Sequence, residues 1–397
     1  MRRIHSSSTP ANSRLVSSMN TELILDSLIQ LRRASKSQLA RETNLSFPTV
    51  SKLIQELETS GLVIAVDDHH QTGGRPSTLY QFNPEVGTLI AGDVTSDLIK
   101  LVAIDFLGNE VTRSEVAVPN GPPSPSDVLK AIEGLSYKLT RPLKGICLSI
   151  PGLIDYTSGT VQRCLSLDWG RIPLGQMITD KFEVPAIIEN DAIAAAIGEF
   201  YAGDGNRDSN ETFAYIAISR GIGAGIVVNG RVLRGRRTQP GSIGHTIIDY
   251  SGKTICRCGN TGCLEALAGQ AALVSTARKL GIVTSVEETA AVKEIVQQAE
   301  EGNPKAVELL QEAGSMFAIG INNLLLTIDG EKAVLGGTLA LSSIFLDAVR
   351  SQLTRLNPIL GRFVDVIPST LYPNASLEGA CFLARESLVY TTINGEE

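Results

Sequence analysis

Four residues able to hold a metal ion crowd into nineteen positions of this 397-residue chain: His245, Cys256, Cys258 and Cys263. The tight portion reads Cys-x-Cys-Gly-x-x-Gly-Cys, with Gly259 and Gly262 where a short loop must fold around an ion. One imidazole and three thiolates fill a tetrahedral shell and leave no position for water. The chemistry they point to is a structural zinc ion (Zn2+) rather than a catalytic one. The competing reading is a loop of ordinary thiols. The other three of the six cysteines are scattered, which argues for burial and against a secreted disulfide framework.

A second set of residues suits nucleic acid. Phe47, Thr49, Ser51, Lys52 and Gln55 share the polar face of a helical stretch whose other face carries Val50, Leu53, Ile54 and Leu57. In a major groove, Thr, Ser and Gln offer hydrogen bonds to base edges, Lys52 meets a phosphate and Phe47 meets a thymine methyl. Ser46 opens that helix, where its hydroxyl can cap free backbone N–H groups at the DNA-facing end. The turn Gly73-Gly74-Arg75-Pro76 sets Arg75 on a loop that allows close backbone approach and suits a minor groove. Helix-turn-helix patterns also serve protein contacts; the wing that follows favours DNA.

These side chains need a scaffold. Leu23, Ile24, Leu28 and Leu31 recur at helical spacing over about 20–33, and Ser35 with Gln38 forms a capping-box signature for a second helix ending at Thr43. Asn44 and Leu45 turn the chain into the third helix, which Gly61 stops. Residues 62–66 and 78–82 read as a hairpin across a polar tip. Three helices and a hairpin make a winged helix-turn-helix over 19–83, preceded by a flexible arm over 1–18 and closed by Asn83-Pro84.

From 84 to 397 the pattern changes. Residues 88–93, 98–105 and 111–118 read as three strands, and a similar block of 213–218, 224–228 and 231–233 returns roughly 120 residues later. Helical stretches at 193–201 and 306–326 complete an α/β body of two duplicated lobes with a cleft between them. A Pro-rich surface loop is expected around 119–125. Within this body, Asn190-Asp191 is either a helix cap or a reactive carboxylate with its neighbour, and Gly221 to Gly225 is either a phosphate loop or a plain strand turn.

Composition bounds the rest. With 43% hydrophobic and 19% charged residues the chain has the make-up of a globular protein of two or three domains. No run approaches the roughly 18 apolar residues of a membrane span, and the Ser-rich start lacks the core of a signal peptide, so the expected address is cytoplasmic with no membrane partner. Net charge is -7; residues 1–82 hold nine Lys/Arg against seven Asp/Glu, or +2, which leaves -9 elsewhere. Such a balance permits nucleic-acid contact through one end only.

Taken in order, several motifs resemble the ROK family, named for repressors, open reading frames and kinases. They are Gly73-Gly74-Arg75-Pro76; Ser149-Ile150-Pro151-Gly152-Leu153-Ile154; Glu189-Asn190-Asp191-Ala192; Gly221-Ile222-Gly223-Ala224-Gly225; Gly244-His245; Gly262-Cys263-Leu264-Glu265; and Gly336-Gly337. Within that family the chain looks most like the repressors with an N-terminal winged helix, of xylose and N-acetylglucosamine type. The resemblance covers nearly everything after the arm. It implies an actin-like, sugar-kinase (ribonuclease H-like) α/β fold. In family kinases the residue matching Asp191 is the general base on a sugar hydroxyl, and those matching Asn190, His245 and Glu265 hold other hydroxyls. His245 would then ligate zinc through one ring nitrogen and face the sugar with the other.

Two departures bear on activity. The family's first phosphate loop reads Asp-x-Gly-Gly-Thr, but this chain has Asp93-Val94-Thr95-Ser96-Asp97, which crowds the approach of phosphate and adds a negative charge. ATP binding is expected to be poor, Asp191 vestigial and the chain no enzyme. Where the family has Gly-Glu-x-Gly-His, this chain has Gly241-Ser242-Ile243-Gly244-His245, so Ser242 offers an alcohol in place of a carboxylate. The pocket is either weakened for a simple hexose or reshaped for another carbohydrate or phosphosugar. The expected protein is a repressor of carbohydrate-utilisation genes, a homodimer or homotetramer on double-stranded operator DNA, controlled by a small-molecule carbohydrate effector. The alternatives are a sugar kinase with an accessory DNA-binding domain and a regulator titrated by a protein partner.

Overall fold

The computed structural model describes residues 13–66, 78–119, 121–203, 211–235, 240–356 and 364–388. Three helices come first: α1 (Ser13–Leu31), α2 (Lys36–Thr43) and α3 (Phe47–Thr59). The arm expected over 1–18 is corrected in its second part, because α1 already starts at Ser13; extending an established helix by a turn costs far less than nucleating one. Residues 1–12 lie outside the described residues. On α1 the buried stripe is Ile24, Leu25, Leu28 and Ile29, and Leu23 is exposed. Both serines cap their helices: the Gln38 N–H donates to Ser35 Oγ at 3.2 Å, the backbone half of the expected capping box, and the Thr49 N–H to Ser46 Oγ at 3.3 Å. Asn44 takes a left-handed conformation where α2 ends.

Strands Val63–Val66 and Leu79–Phe82 pair antiparallel, with Val63 opposite Phe82 and Val66 opposite Leu79. A two-residue strand, Ala34–Ser35, joins the outer edge of Leu79–Phe82. The wing tip with Arg75 lies outside the described residues.

The body repeats one sheet twice. In the first, Glu110–Ala117, Leu98–Asp105 and Thr88–Val94 form an antiparallel meander, and Leu143–Ile150 and Ala186–Asn190 extend it in parallel. In the second, Arg231–Val232, Ile222–Val228 and Phe213–Ile218 form the meander, and Lys332–Gly336 and Asp365–Pro368 extend it. Identical order and sense in both halves is what a duplicated unit gives. The Pro-rich loop is tied down, since Trp169 Nε1 donates to the Pro123 carbonyl at 2.9 Å.

Two helices, Asp191–Ala202 and Ala375–Leu383, pack against each other and against strands of the two sheets. They cross so closely that a Cβ on Gly379 would lie 1.7 Å from the Ala194 carbonyl oxygen. Only glycine fits there. This crossing sets the N-terminus of Asp191–Ala202, and with it Asp191, at the mouth between the lobes. The head is not separate from the body: Leu28, Ile54 and Phe82 share one hydrophobic core with Leu89, Phe106, Cys147 and Ala380. No helix among the described residues is long and apolar enough to cross a membrane.

Candidate functional site

The metal candidates converge. One potential ligand atom each from His245, Cys256, Cys258 and Cys263 lies within 4.8 Å of all the others. The turn Ile243–His245 supplies the imidazole, and Gly262 at φ +72 bends the loop so tightly that a Cβ there would sit 1.9 Å from the Asp249 carbonyl oxygen. Cys258 Sγ and Cys263 Sγ are 3.7 Å apart, and Cys256 Sγ is 3.6 Å from His245 Nδ1. Metal–thiolate bonds of about 2.3 Å put tetrahedral sulfurs about 3.8 Å apart, so the set has the size of a shell around one ion. The thiols are poorly matched without a cation. Burial, then contact with Cys258 and Cys256, pushes the Cys263 thiol up to about 12, and the Asn260 N–H draws Cys258 below the ordinary range. A cation favours the thiolate form of all three. The cluster can therefore hold a metal. Of the remaining cysteines, Cys147 and Cys164 are buried and Cys381 is half-buried.

Beside the cluster opens a cleft of about 530 Å³ between the lobes, and Asn190, Asp191, Ser242, His245 and Glu265 all line it. Residues up to 75 positions apart in sequence thus meet at one cavity. His245 joins the two sites, with Nδ1 toward Cys256 and the ring on the cleft wall.

The helix-cap reading of Asn190-Asp191 holds. Asn190 Oδ1 accepts the N–H groups of Ala192 (3.0 Å) and Ile193 (3.1 Å), which caps the helix. Its Nδ2 donates to the Gly152 carbonyl at 2.9 Å and to Asp191 Oδ1 at 3.0 Å. The Asn190 amide is thus committed to positioning. Burial, then the charge of Asp93, pushes the Asp191 carboxyl up to about 6.

Glu265, nearly buried, is already gripped. Arg257 donates from Nε to Oε1 at 2.6 Å and from Nη2 to Oε2 at 2.9 Å, and the Ile222 N–H donates to Oε2 at 3.0 Å. The sequence pattern missed Arg257 because only the cysteines to either side of it have a recognisable spacing; a loop that fixes Cys256 and Cys258 also fixes what stands between them. It missed Arg234 too. That residue follows the second sheet's edge strand, crosses to the first lobe, and donates from Nε (3.1 Å) and Nη2 (2.9 Å) to Glu189 Oε2, with its guanidinium 4.3 Å from the Tyr156 ring centre.

A second cavity of about 310 Å³ adjoins the first and shares Asp191 with it; Asp93, Thr95, Ser96 and Asp97 line one side and Gly336 and Gly337 the other. The Thr95 turn is closed on itself. Its N–H donates to the Leu98 carbonyl at 2.9 Å, its Oγ1 donates toward Asp97 Oδ1 and the Leu98 carbonyl, both at 3.0 Å, and it accepts the Leu98 N–H at 3.2 Å. Across the way, Gly223 and Gly225 lie inside strand Ile222–Val228, opposite Ala217 and Tyr215, and the turn itself is at Ser219 to Gly221.

On the head, α3 buries Val50, Leu53, Ile54 and Leu57 and leaves Ser46, Phe47, Lys52 and Gln55 exposed, with Thr49 and Ser51 half-buried. Ser46 Oγ lies 2.7 Å from Thr49 Oγ1, and Lys52 Nζ 3.7 Å from Glu56 Oε1. Phe47 is 53% exposed.

Residues 90–387 match the ROK family and residues 20–64 a winged helix-turn-helix DNA-binding family. The xylose repressor of Bacillus spizizenii (strain ATCC 23059 / NRRL B-14472 / W23) is 30% identical over 378 residues, 93% of this chain and 95% of its own. A ROK family transcriptional regulator, described as a homologue of the E. coli MLC protein, shares the fold over 96% of this chain and 100% of its own, with TM-score 0.79 and 24% identity. A ROK family glucokinase from Streptomyces griseus, solved with glucose and AMPPNP, matches 76% of this chain and 100% of its own, with TM-score 0.63 and 26% identity.

Proposed function

Because this chain belongs to the ROK family and carries a winged helix-turn-helix ahead of that domain, we propose that it is a DNA-binding repressor of carbohydrate-utilisation genes, switched by a sugar or sugar derivative in the larger cleft. The observation that carries the reading is the shared core. A helix with an exposed polar face and a ligand-sized cleft belong to one continuously packed unit, so a change in lobe closure moves the head. The relative of matching length named xylose repressor supports the same assignment.

In this reading α3 enters the major groove with Ser46, Phe47, Thr49, Ser51, Lys52 and Gln55, and Arg75 enters the minor groove from the wing. Two-fold operators call for two heads, hence a homodimer or homotetramer. Work on DNA fits the cytoplasm. Asn190, Asp191, Ser242, His245 and Glu265 form the carbohydrate site, with Asn190 orienting Asp191 rather than reaching out itself. His245, Cys256, Cys258 and Cys263 hold zinc, which supplies a rigid, closed four-ligand anchor and no chemistry at the sugar. The anchor fixes the His245 ring and the Arg257 backbone on the cleft wall.

Loss of ATP binding fits the closed Thr95 turn, in which the Thr95 and Leu98 N–H groups are spent on each other and Asp97 would repel phosphate. A second reading, a sugar kinase with an accessory DNA-binding domain, draws on one observation: Asp191 stands where the two cavities meet. One experiment separates them. Purified protein is titrated by fluorescence anisotropy onto DNA from its own operator region, with a carbohydrate panel, with and without ATP. Release by one sugar without ATP supports the repressor; ATP consumption that depends on sugar supports the kinase; binding indifferent to every sugar points to a protein inducer.

A further inference from the structure

The cleft presents more donors than a pocket for neutral hydroxyls would. A carboxylate oxygen has two lone pairs. At Glu265, Oε2 already accepts from Arg257 Nη2 and the Ile222 N–H, and Oε1 accepts from Arg257 Nε. One acceptor position remains on that side chain. Arg257 gives up Nε and one edge of Nη2 to this grip and keeps Nη1, with the side chain 40% exposed on the cleft wall.

A second guanidinium, Arg163, lines the same cleft, is exposed, and pairs with no carboxylate among the described residues. Ser242 adds an alcohol. Arg163 and Arg257 balance Glu265 and Asp191, so the cleft lacks the acidic character that a cage of hydroxyl-accepting carboxylates has. Planar guanidinium groups match carboxylate and phosphate oxygens, and a site that must strip water from two of them gains most from a ligand bearing charge.

We infer that the carbohydrate taken by this cleft carries an anionic group, a phosphate ester or a carboxylate, read by Arg257 with Arg163. The inference rests on the sugar-controlled reading above. Glu265 is the positioning residue: its two bonds hold the guanidinium beside Gly221, where an added Cβ would be 2.8 Å from Arg257 Nη2. The loop that carries the metal ligands thereby also carries ligand specificity.

Calorimetric titration of the zinc-loaded full chain tests this with two matched sets: glucose, glucose 6-phosphate and glucuronate; and xylose, xylose 5-phosphate and xylonate. Inorganic phosphate serves as control. In at least one set the phosphate or the carboxylate form binds about tenfold or more tighter than the neutral parent, as a charge-assisted contact gives, and the two arms tell which anion it is. Arg257→Gln, with zinc content checked by mass spectrometry, brings that ratio to near one and leaves the neutral parent within about threefold. Arg163→Gln, outside the metal loop, lowers the same ratio and decides the matter if Arg257→Gln loses zinc. Neutral parents that bind as tightly as their anionic forms, or a ratio unchanged in Arg163→Gln and in zinc-loaded Arg257→Gln, overturn the inference and leave sugar control standing. Heat from no sugar of either kind removes sugar control itself, and this inference with it.

Discussion

Phe82, the last residue of the wing hairpin, stacks on Phe106 of the first lobe with ring centres 5.9 Å apart and planes 18° from parallel, and both rings are fully buried. Beside them Arg32 Nη1 donates to Asn109 Oδ1 at 3.2 Å, and Asn109 Nδ2 donates to Asp105 Oδ2 at 2.9 Å. Truncating a buried ring leaves a cavity and costs about 3–5 kcal/mol. In Phe82→Ala the head should unfold ahead of the body, giving two urea transitions by circular dichroism where the parent gives one. A single transition at nearly the parent midpoint would show that the stack does not couple the two parts.

Glu189 is buried against Arg234 from the opposite lobe, and burial pushes its carboxyl above the ordinary range despite that partner. Arg234→Ala strands a carboxylate and should destabilise by about 3–5 kcal/mol. The penalty is full where Glu189 is ionised and shrinks as acid protonates it, so thermal scans should show a larger deficit at pH 8 than at pH 5.5. An equal deficit at both would assign the loss to packing on Tyr156.

Asp191 has a folded value of about 6 against an ordinary 3.8. A raised acid stabilises the fold fully below 3.8 and loses that contribution as pH climbs through 6. Asp191→Asn does not titrate, so its stability advantage over the parent should widen by about 1–2 kcal/mol between pH 4.5 and pH 8. Urea midpoints at the two pH values measure it, and a constant gap would mean that Asp191 ionises at its ordinary value.

Chelation tests the metal shell. One zinc per chain should be present, and its removal should lower the melting temperature and loosen the cleft, because binding at a closed site is folding free energy. Zinc well below one per chain that a chelator strips with no change in melting would return the cysteines to ordinary thiols.

On the head, Lys52 is exposed beside Glu56, and in the proposed reading it meets a phosphate. Lys52→Ala should weaken operator and unrelated DNA about equally and reduce the slope of log affinity against log salt by about 1. Arg75→Ala should weaken operator binding in the same anisotropy assay; an unchanged affinity rejects its place on the wing.

Much of this was legible in the chain. Periodicity and caps exposed the three helices, since Ser35, Ser46 and Asn44 act on neighbours two to four residues away. The cysteine spacing exposed the His/Cys cluster for the same reason: three thiols of one short loop meet whatever the rest of the fold does. The duplicated strands were visible because short, largely apolar runs bounded by turn residues recur in both halves. The start of α1 was misplaced because polar residues can extend a helix they would not begin.

What no local pattern contains is the pairing of distant charges. Arg257 on Glu265, Arg234 on Glu189, Asp93 beside Asp191 and Phe82 on Phe106 depend on how two sheets and two crossing helices set their ends together. By itself the sequence determined the elements, the cysteine loop and the residues available to the cleft, all governed by neighbours in the chain. Only the tertiary structure decided which of those residues remain available: packing tied the Asn190 amide to the Gly152 carbonyl, covered Glu265 with Arg257 and joined the head to the first lobe, because hydrogen-bonding capacity and buried volume are shared through space.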